Sequence, residues 1–210
     1  MSAVILNTMT FGQRLAAHLH AHLRDHAFFR VLWTNMDEIA PGVWRSNQPS
    51  PALVRRYADM GLRAILNLRG TSSQGSFSLE VTEAVRHGIP LHSHALGSRS
   101  LSSPKQYLAL LDDFEMMPRP FVLHCKSGAD RAGLASAFWL IHMEGLPVTE
   151  ARKMLSLRYL HVRRSKTGVL DALLDAYDAH CRREPISLRD WLAHHYDREA
   201  ITAACRGGKR

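Results

Sequence analysis

The stretch from Phe121 to Gly145 places the tightest limits on what this chain can fold into. Phe121-Val122-Leu123-His124 is a short apolar run that reads as a buried strand. Seven residues after His124 begins what reads as a nearly all-apolar helix, positions 131–144, with Gly145 as its stop. Shorter alternations surround it. Val43-Trp44-Arg45 reads as a strand, and Ser50-Pro51 opens a helix as N-cap and first-turn proline, which Gly61 ends. Ala64 to Leu68 reads as a buried strand, residues 77–87 as a helix stopped by Gly88, and Leu91 to Leu96 as a strand. Ser103-Pro104-Lys105-Gln106 is a capping box for a helix running to about Met117. Two or three helices follow Gly145, up to about Tyr196, and the polar end after Arg206 reads as frayed. This alternation predicts an α/β domain with a short, mainly parallel central sheet flanked by helices.

Composition enters where it excludes function classes. With 46% hydrophobic and 22% charged residues over 210 positions, the chain is neither disordered nor fibrous and can bury a full core without disulfides. Three cysteines, Cys125, Cys181 and Cys205, are no disulfide framework, so a reducing, cytoplasmic setting is expected. No apolar run is long enough to span a bilayer, and the first residues lack the pattern of a secretory signal. The net charge of +8 favours anionic partners. Nucleic acid is not among them by this reading, since basic and aromatic residues do not interleave and no binding motif is present. Residues 9–33 read as a helix with one apolar stripe, Phe11, Leu15, Leu19 and Leu23. Such a helix packs on the main domain, or else makes peripheral contact with a membrane surface or a partner. His18, His22 and His26 share one face of it, but a metal site there would need a further ligand.

The loop between the buried strand and the apolar helix, Cys125 to Arg131, carries the chemistry. A short strand-to-helix loop aims several backbone N–H groups inward as an anion cradle, and the helix N-terminus adds partial positive charge. Arg131 can close that cradle as a two-pronged donor, and Gly128 permits the tight turn. Helix N-termini and cations lower thiol pKa values, so Cys125 is expected as a thiolate, a nucleophile for a bound phosphate.

His124-Cys125 followed by Arg131 resembles the H-C-x5-R signature of the cysteine-dependent protein tyrosine phosphatase superfamily. The likeness is to its compact dual-specificity branch, and more narrowly to bacterial tyrosine-phosphatase-like proteins carrying H-C-K-S-G-A-D-R-A-G. It extends over about residues 37–180, through Arg45-Ser46-Asn47-Gln48-Pro49, Ile65-Leu66-Asn67-Leu68-Arg69 and Leu155-Ser156-Leu157-Arg158-Tyr159. It implies a phosphatase domain over 37–184, between an N-terminal helical extension, 1–36, and a C-terminal helix and tail, 185–210. It implies hydrolysis of phosphate monoesters through a phosphocysteine on Cys125, with no metal or other cofactor. Arg131 would hold the phosphate, Lys126, Ser127, Gly128 and Ala129 would line the cradle with it, and His124 would support the loop from behind. By resemblance alone, Arg45 and Gln48 would also reach the pocket.

Two departures stand out. Relatives often carry a hydroxyl directly after the arginine, where this chain has Ala132; Ser127 and Ser136 stand near but do not match that position. Relatives also supply a general-acid Asp some way before the cysteine, yet Glu80 and Glu83 are the only carboxylates between Asp59 and Asp112. Asp130, inside the loop, is the alternative acid, and His92 and His94 are weaker ones. The basic residues Arg152, Lys153, Arg158, Arg163, Arg164 and Lys166, with no acid among them, read either as a solvated face or as a second anion site. Arg158 and Lys166 are then candidate substrate contacts. Substrates fitting that charge are phosphoproteins, inositol phosphates or phospholipids. The competing reading is a pseudophosphatase that captures phosphate and turns it over poorly.

Overall fold

The computed structural model describes residues 33–71 and 75–207. The helix read over 9–33 and its three histidines lie outside the described residues, except for Trp33. The described residues open with an antiparallel hairpin, β1 (Asp37–Ala40) and β2 (Val43–Ser46), turned by Gly42 at φ +73°. Next come α1 (Pro51–Asp59), β3 (Ala64–Asn67), α2 (Gly75–Arg86), β4 (Leu91–Ser93), α3 (Pro104–Met116) and β5 (Phe121–His124). Helix α4 (Asp130–His142) and a short α5 (Val148–Ala151) lead into three single 3-10 turns, at Arg152–Met154, Leu157–Tyr159 and Lys166–Gly168. Helices α6 (Val169–Cys181), α7 (Leu188–His194) and α8 (Arg198–Gly207) complete the chain.

The five strands form one sheet in the order β1-β2-β5-β3-β4, and every pair except β1–β2 is parallel. This is the α/β architecture the sequence predicts. The strands alternate residues between the faces, as extended chains must. Val43, Ala64, Leu66, Phe121 and Leu123 belong to one apolar cluster, and Ile65 and Val122 to the other. The larger cluster takes in α3, α4, α6 and α7; the smaller is covered by α1 and α2. Helix α4 is buried along nearly its whole length, with Leu134, Ala135, Ala137 and Phe138 at 0% exposure, which is why it has no polar face. Leu188, Trp191, Leu192, Tyr196 and Ile201 join the same cluster, so packing runs on past residue 184.

Several boundaries differ from the sequence reading. Strand β4 ends at Ser93 rather than Leu96, because His94 and Leu96 bond back to the carbonyls of Asn67 and Leu68 along an irregular stretch. Strand β1 was not expected: an edge strand paired on one side tolerates Asp37 and Glu38, and so carries no apolar signature. The C-terminal segment continues as helix to Gly207 because Ile201 anchors it in the core. Strand β5 lies at the centre of the sheet, between β2 and β3, and its carboxyl end opens into the Cys125–Arg131 loop. In sheets of this kind, that end is where ligands bind.

Candidate active site

Cys125 sits at the end of β5 with 1% of its surface exposed, while Lys126 and Ser127 are exposed and Gly128 and Ala129 are buried beneath them. Gly128 has φ +75°, and a Cβ there would stand 2.9 Å from the carbonyl of Ser46. Glycine is required on both counts, conformation and space. Helix α4 starts at Asp130, so the loop's backbone leads into a helix N-terminus as the spacing predicts. Arg131 is half-buried and its guanidinium has no hydrogen-bonding or ion-pair partner among the described residues. Most of the other described arginines have such partners.

The structure moves Arg45 out of the pocket. Its side chain is fully buried under the loop, so it is not a substrate contact. One terminal nitrogen donates to the carbonyl of Met154 at 2.9 Å, and the other to the carbonyls of Gly128 and Ala129. Its guanidinium stacks on the Tyr159 ring, 3.7 Å from the centroid. Burial pulls its pKa down to about 10, against the opposing pull of Tyr159, Cys125 and Asp37, and it stays charged at neutral pH. A cation that gathers the loop carbonyls from below turns the opposite side of the loop backbone toward the cradle, where the Ala129 N–H donates to Ser127 Oγ at 3.3 Å.

Gln48 is likewise a supporting residue, buried behind the loop. Its Nε2 donates to Glu80 at 2.6 Å, and its Oε1 accepts from Arg69 at 2.6 Å. The other oxygen of Glu80 stands 2.7 Å from Nε2 of His124, with both side chains fully buried. A hydrogen-bonded chain Arg69–Gln48–Glu80 therefore runs behind the loop and partly compensates a buried carboxyl group, while its contact with His124, the residue before the nucleophile, lacks hydrogen-bond geometry. Only His124 and Gln48 were singled out from sequence. The signal that could have found Glu80 is its place as one of two carboxylates in a long acid-free interval.

Asn35 is another residue the sequence does not reveal. Its Nδ2 donates to the carbonyls of Ser127, at 3.1 Å, and Tyr159, at 3.0 Å, holding the loop against the segment after α5. Asp130 turns out to be engaged. Its Oδ1 accepts from Nδ1 of His161 at 2.8 Å, while Nε2 of His161 donates to Asp171 at 2.7 Å. Burial opposes charge on this imidazole, but the hydrogen bonds to Asp130 and Asp171 win and push its pKa up to about 9. His161 is thus a cation at neutral pH, bridging the start of α4 to α6.

The other acid candidates are placed differently. His94 is held by Asp113, at 2.7 Å, and by the carbonyl of Gln106, at 2.9 Å; His92 is exposed on β4. Ser136 is fully buried on α4, and its hydroxyl has no hydrogen-bonding partner. The basic run does not form one face. Arg152 pairs with Asp175, Lys153 with Glu150, Arg158 with Asp37 at 2.8 Å, and Arg163 with Asp175. Arg164 and Lys166 alone of the six have no acidic partner among the described residues.

No family model matches the sequence, and no curated protein matches it. Solved structures do. TpbA of P. aeruginosa superposes with a TM-score of 0.53 at 15% identity, over 82% of this chain and 91% of that one. The core catalytic domain of the PP-IP phosphatase SIW14 from S. cerevisiae, in complex with citrate, gives 0.52 at 13% identity, over 83% and 93%. A putative phosphatase from Shewanella putrefaciens gives 0.54 at 12% identity, over 71% and 97%. At such identities the likeness establishes a shared fold.

Proposed function

We propose that the protein is a cysteine-dependent phosphomonoesterase. The observation that carries this reading is the Arg131 guanidinium, without a partner among the described residues, at the mouth of a loop whose carbonyls Arg45 holds from behind. The structures it resembles include TpbA in complex with pTyr and a PP-IP phosphatase, which accords with a phosphorylated substrate. In the first step the Cys125 sulfur attacks phosphorus, an S–P bond forms and the ester P–O bond breaks. The leaving oxygen takes the proton shared between Asp130 Oδ1 and the His161 imidazolium, 2.8 Å apart, which leaves that pair one proton short. Water then attacks phosphorus and gives a proton back to the pair, the S–P bond breaks, Cys125 leaves as a thiolate, and inorganic phosphate departs. Loop amides and Arg131 bind the equatorial oxygens, whose charge grows in the transition state. Lys126, Ser127, Gly128 and Ala129 line the cradle, and His124 supports it.

One observation favours a second reading, a phosphate-binding module with poor turnover. Ala132 follows Arg131 where a hydroxyl would assist release, and the Ser136 hydroxyl is sealed in the core. Hydrolysis of an aryl phosphate separates the two. Steady turnover that Cys125→Ser abolishes while phosphate-analogue binding survives supports the enzyme. A single burst with no turnover supports the binding module, and Arg131→Ala should lose binding in either case.

A further inference from the structure

The loop has a rim that the proposed chemistry does not use. Seven large apolar side chains are strongly exposed among the described residues. Three of them, Leu157 at 74%, Leu160 at 60% and Val162 at 46%, fall within six residues. A fourth, Trp33 at 51%, lies two residues before Asn35. Asn35 ties that segment to the loop by donating to the carbonyls of Ser127 and Tyr159, while the Asn47 side chain donates to the main-chain carbonyl of Trp33 at 2.5 Å. Single exposed apolar residues need no explanation, but a set gathered around one loop does.

The backbone holds this set outward. Leu157 opens a 3-10 turn and Leu160 caps it, both strongly exposed, while Tyr159 between them turns inward onto Arg45. Leu160 has φ +63°, a left-handed conformation that strains a leucine. That strain is retained to present a side chain which the core does not use. Between Ala151 and Ser165 the chain has no acidic residue, and the exposed Arg164 and Lys166 have no acidic partner among the described residues.

We propose that this rim docks on an anionic lipid bilayer, and that the loop then works on phosphomonoester headgroups within it. The proposal rests on the phosphomonoesterase reading above. Trp33 and the aliphatic side chains enter the boundary between headgroups and acyl chains, while Arg164 and Lys166 meet acidic headgroups. Interleaved aliphatic and cationic residues suit a bilayer, which offers apolar depth and negative charge without directional hydrogen bonds.

The test uses the full chain and the variant Leu157→Gln/Leu160→Asn, in which asparagine tolerates the left-handed backbone. The wild type should sediment with phosphatidylcholine vesicles containing phosphatidylserine, and less so as salt rises. The variant's vesicle affinity should fall by about tenfold or more, since two leucines no longer leave water. Both proteins should hydrolyse a soluble aryl phosphate at the same rate, which also certifies the variant's fold, whereas the variant should lose turnover of phosphatidic acid held in vesicles. Equal sedimentation of the two proteins, or none by the wild type, overturns the docking surface and leaves the phosphatase reading standing. Leucine-dependent sedimentation without turnover of any substrate overturns the phosphatase reading alone. If the variant loses phosphopeptide turnover in vesicle-free solution, the rim serves a protein partner and the proposal fails.

Discussion

Asp130 shows how far a single residue's chemistry depends on a neighbour that sequence does not reveal. Sequence marks it as the only carboxylate in the loop; the structure adds a charged His161 on its Oδ1. An acid that draws on an imidazolium matters most when the leaving group is poor. Asp130→Asn should therefore slow alkyl phosphates by about 10²–10⁴-fold and nitrophenyl phosphate far less. The basic limb of the pH–rate profile should flatten with it. A uniform loss across leaving groups would reduce Asp130 to an anchor for His161. Arg45 teaches the converse lesson. The family resemblance alone implies a substrate contact for it, but its partner is a loop carbonyl 83 positions away, and no local pattern signals such a contact.

Among the elements, those read best from sequence are the ones whose own residues decide them. Serine caps and first-turn prolines open α1 and α3 where expected, and the apolar run of α4 follows from burial on all sides. Strand β1 escaped, and β4 was read three residues too long, because pairing partners set their existence and ends rather than composition. The clamp between α4 and α6 is equally non-local, and it makes a measurable claim. His161 has its pKa raised from 6.5 in an exposed chain to about 9, so protonation favours the folded state. That contribution is complete below about pH 6.5 and is lost as the pH rises through about 9. At 1.36 kcal/mol per unit, it is on the order of 3 kcal/mol. The Tm should fall across this window, and His161→Asn should start lower and vary less with pH. A wild-type Tm that is flat from pH 6.5 to 9.5 would show that the imidazole is not charged.

At the scale of the whole molecule, the sequence's charge is partly spent internally. Acids from Asp37 to Asp178 neutralise four of the six cations in the 152–166 run, which is why a linear reading overstated its free charge. The burial of Arg45 has another outcome. Because the cradle hangs from a guanidinium locked into the main packing, the loop cannot open without disturbing that packing. Its shape is therefore set when the chain folds, and an incoming anion meets donors already in place. Such a loop has no low-energy local opening. Structures solved with and without a bound phosphate analogue should therefore show the Gly128 to Arg131 backbone in the same conformation. A loop that rearranges on binding would mean that the binding geometry is assembled by the ligand rather than inherited from the fold.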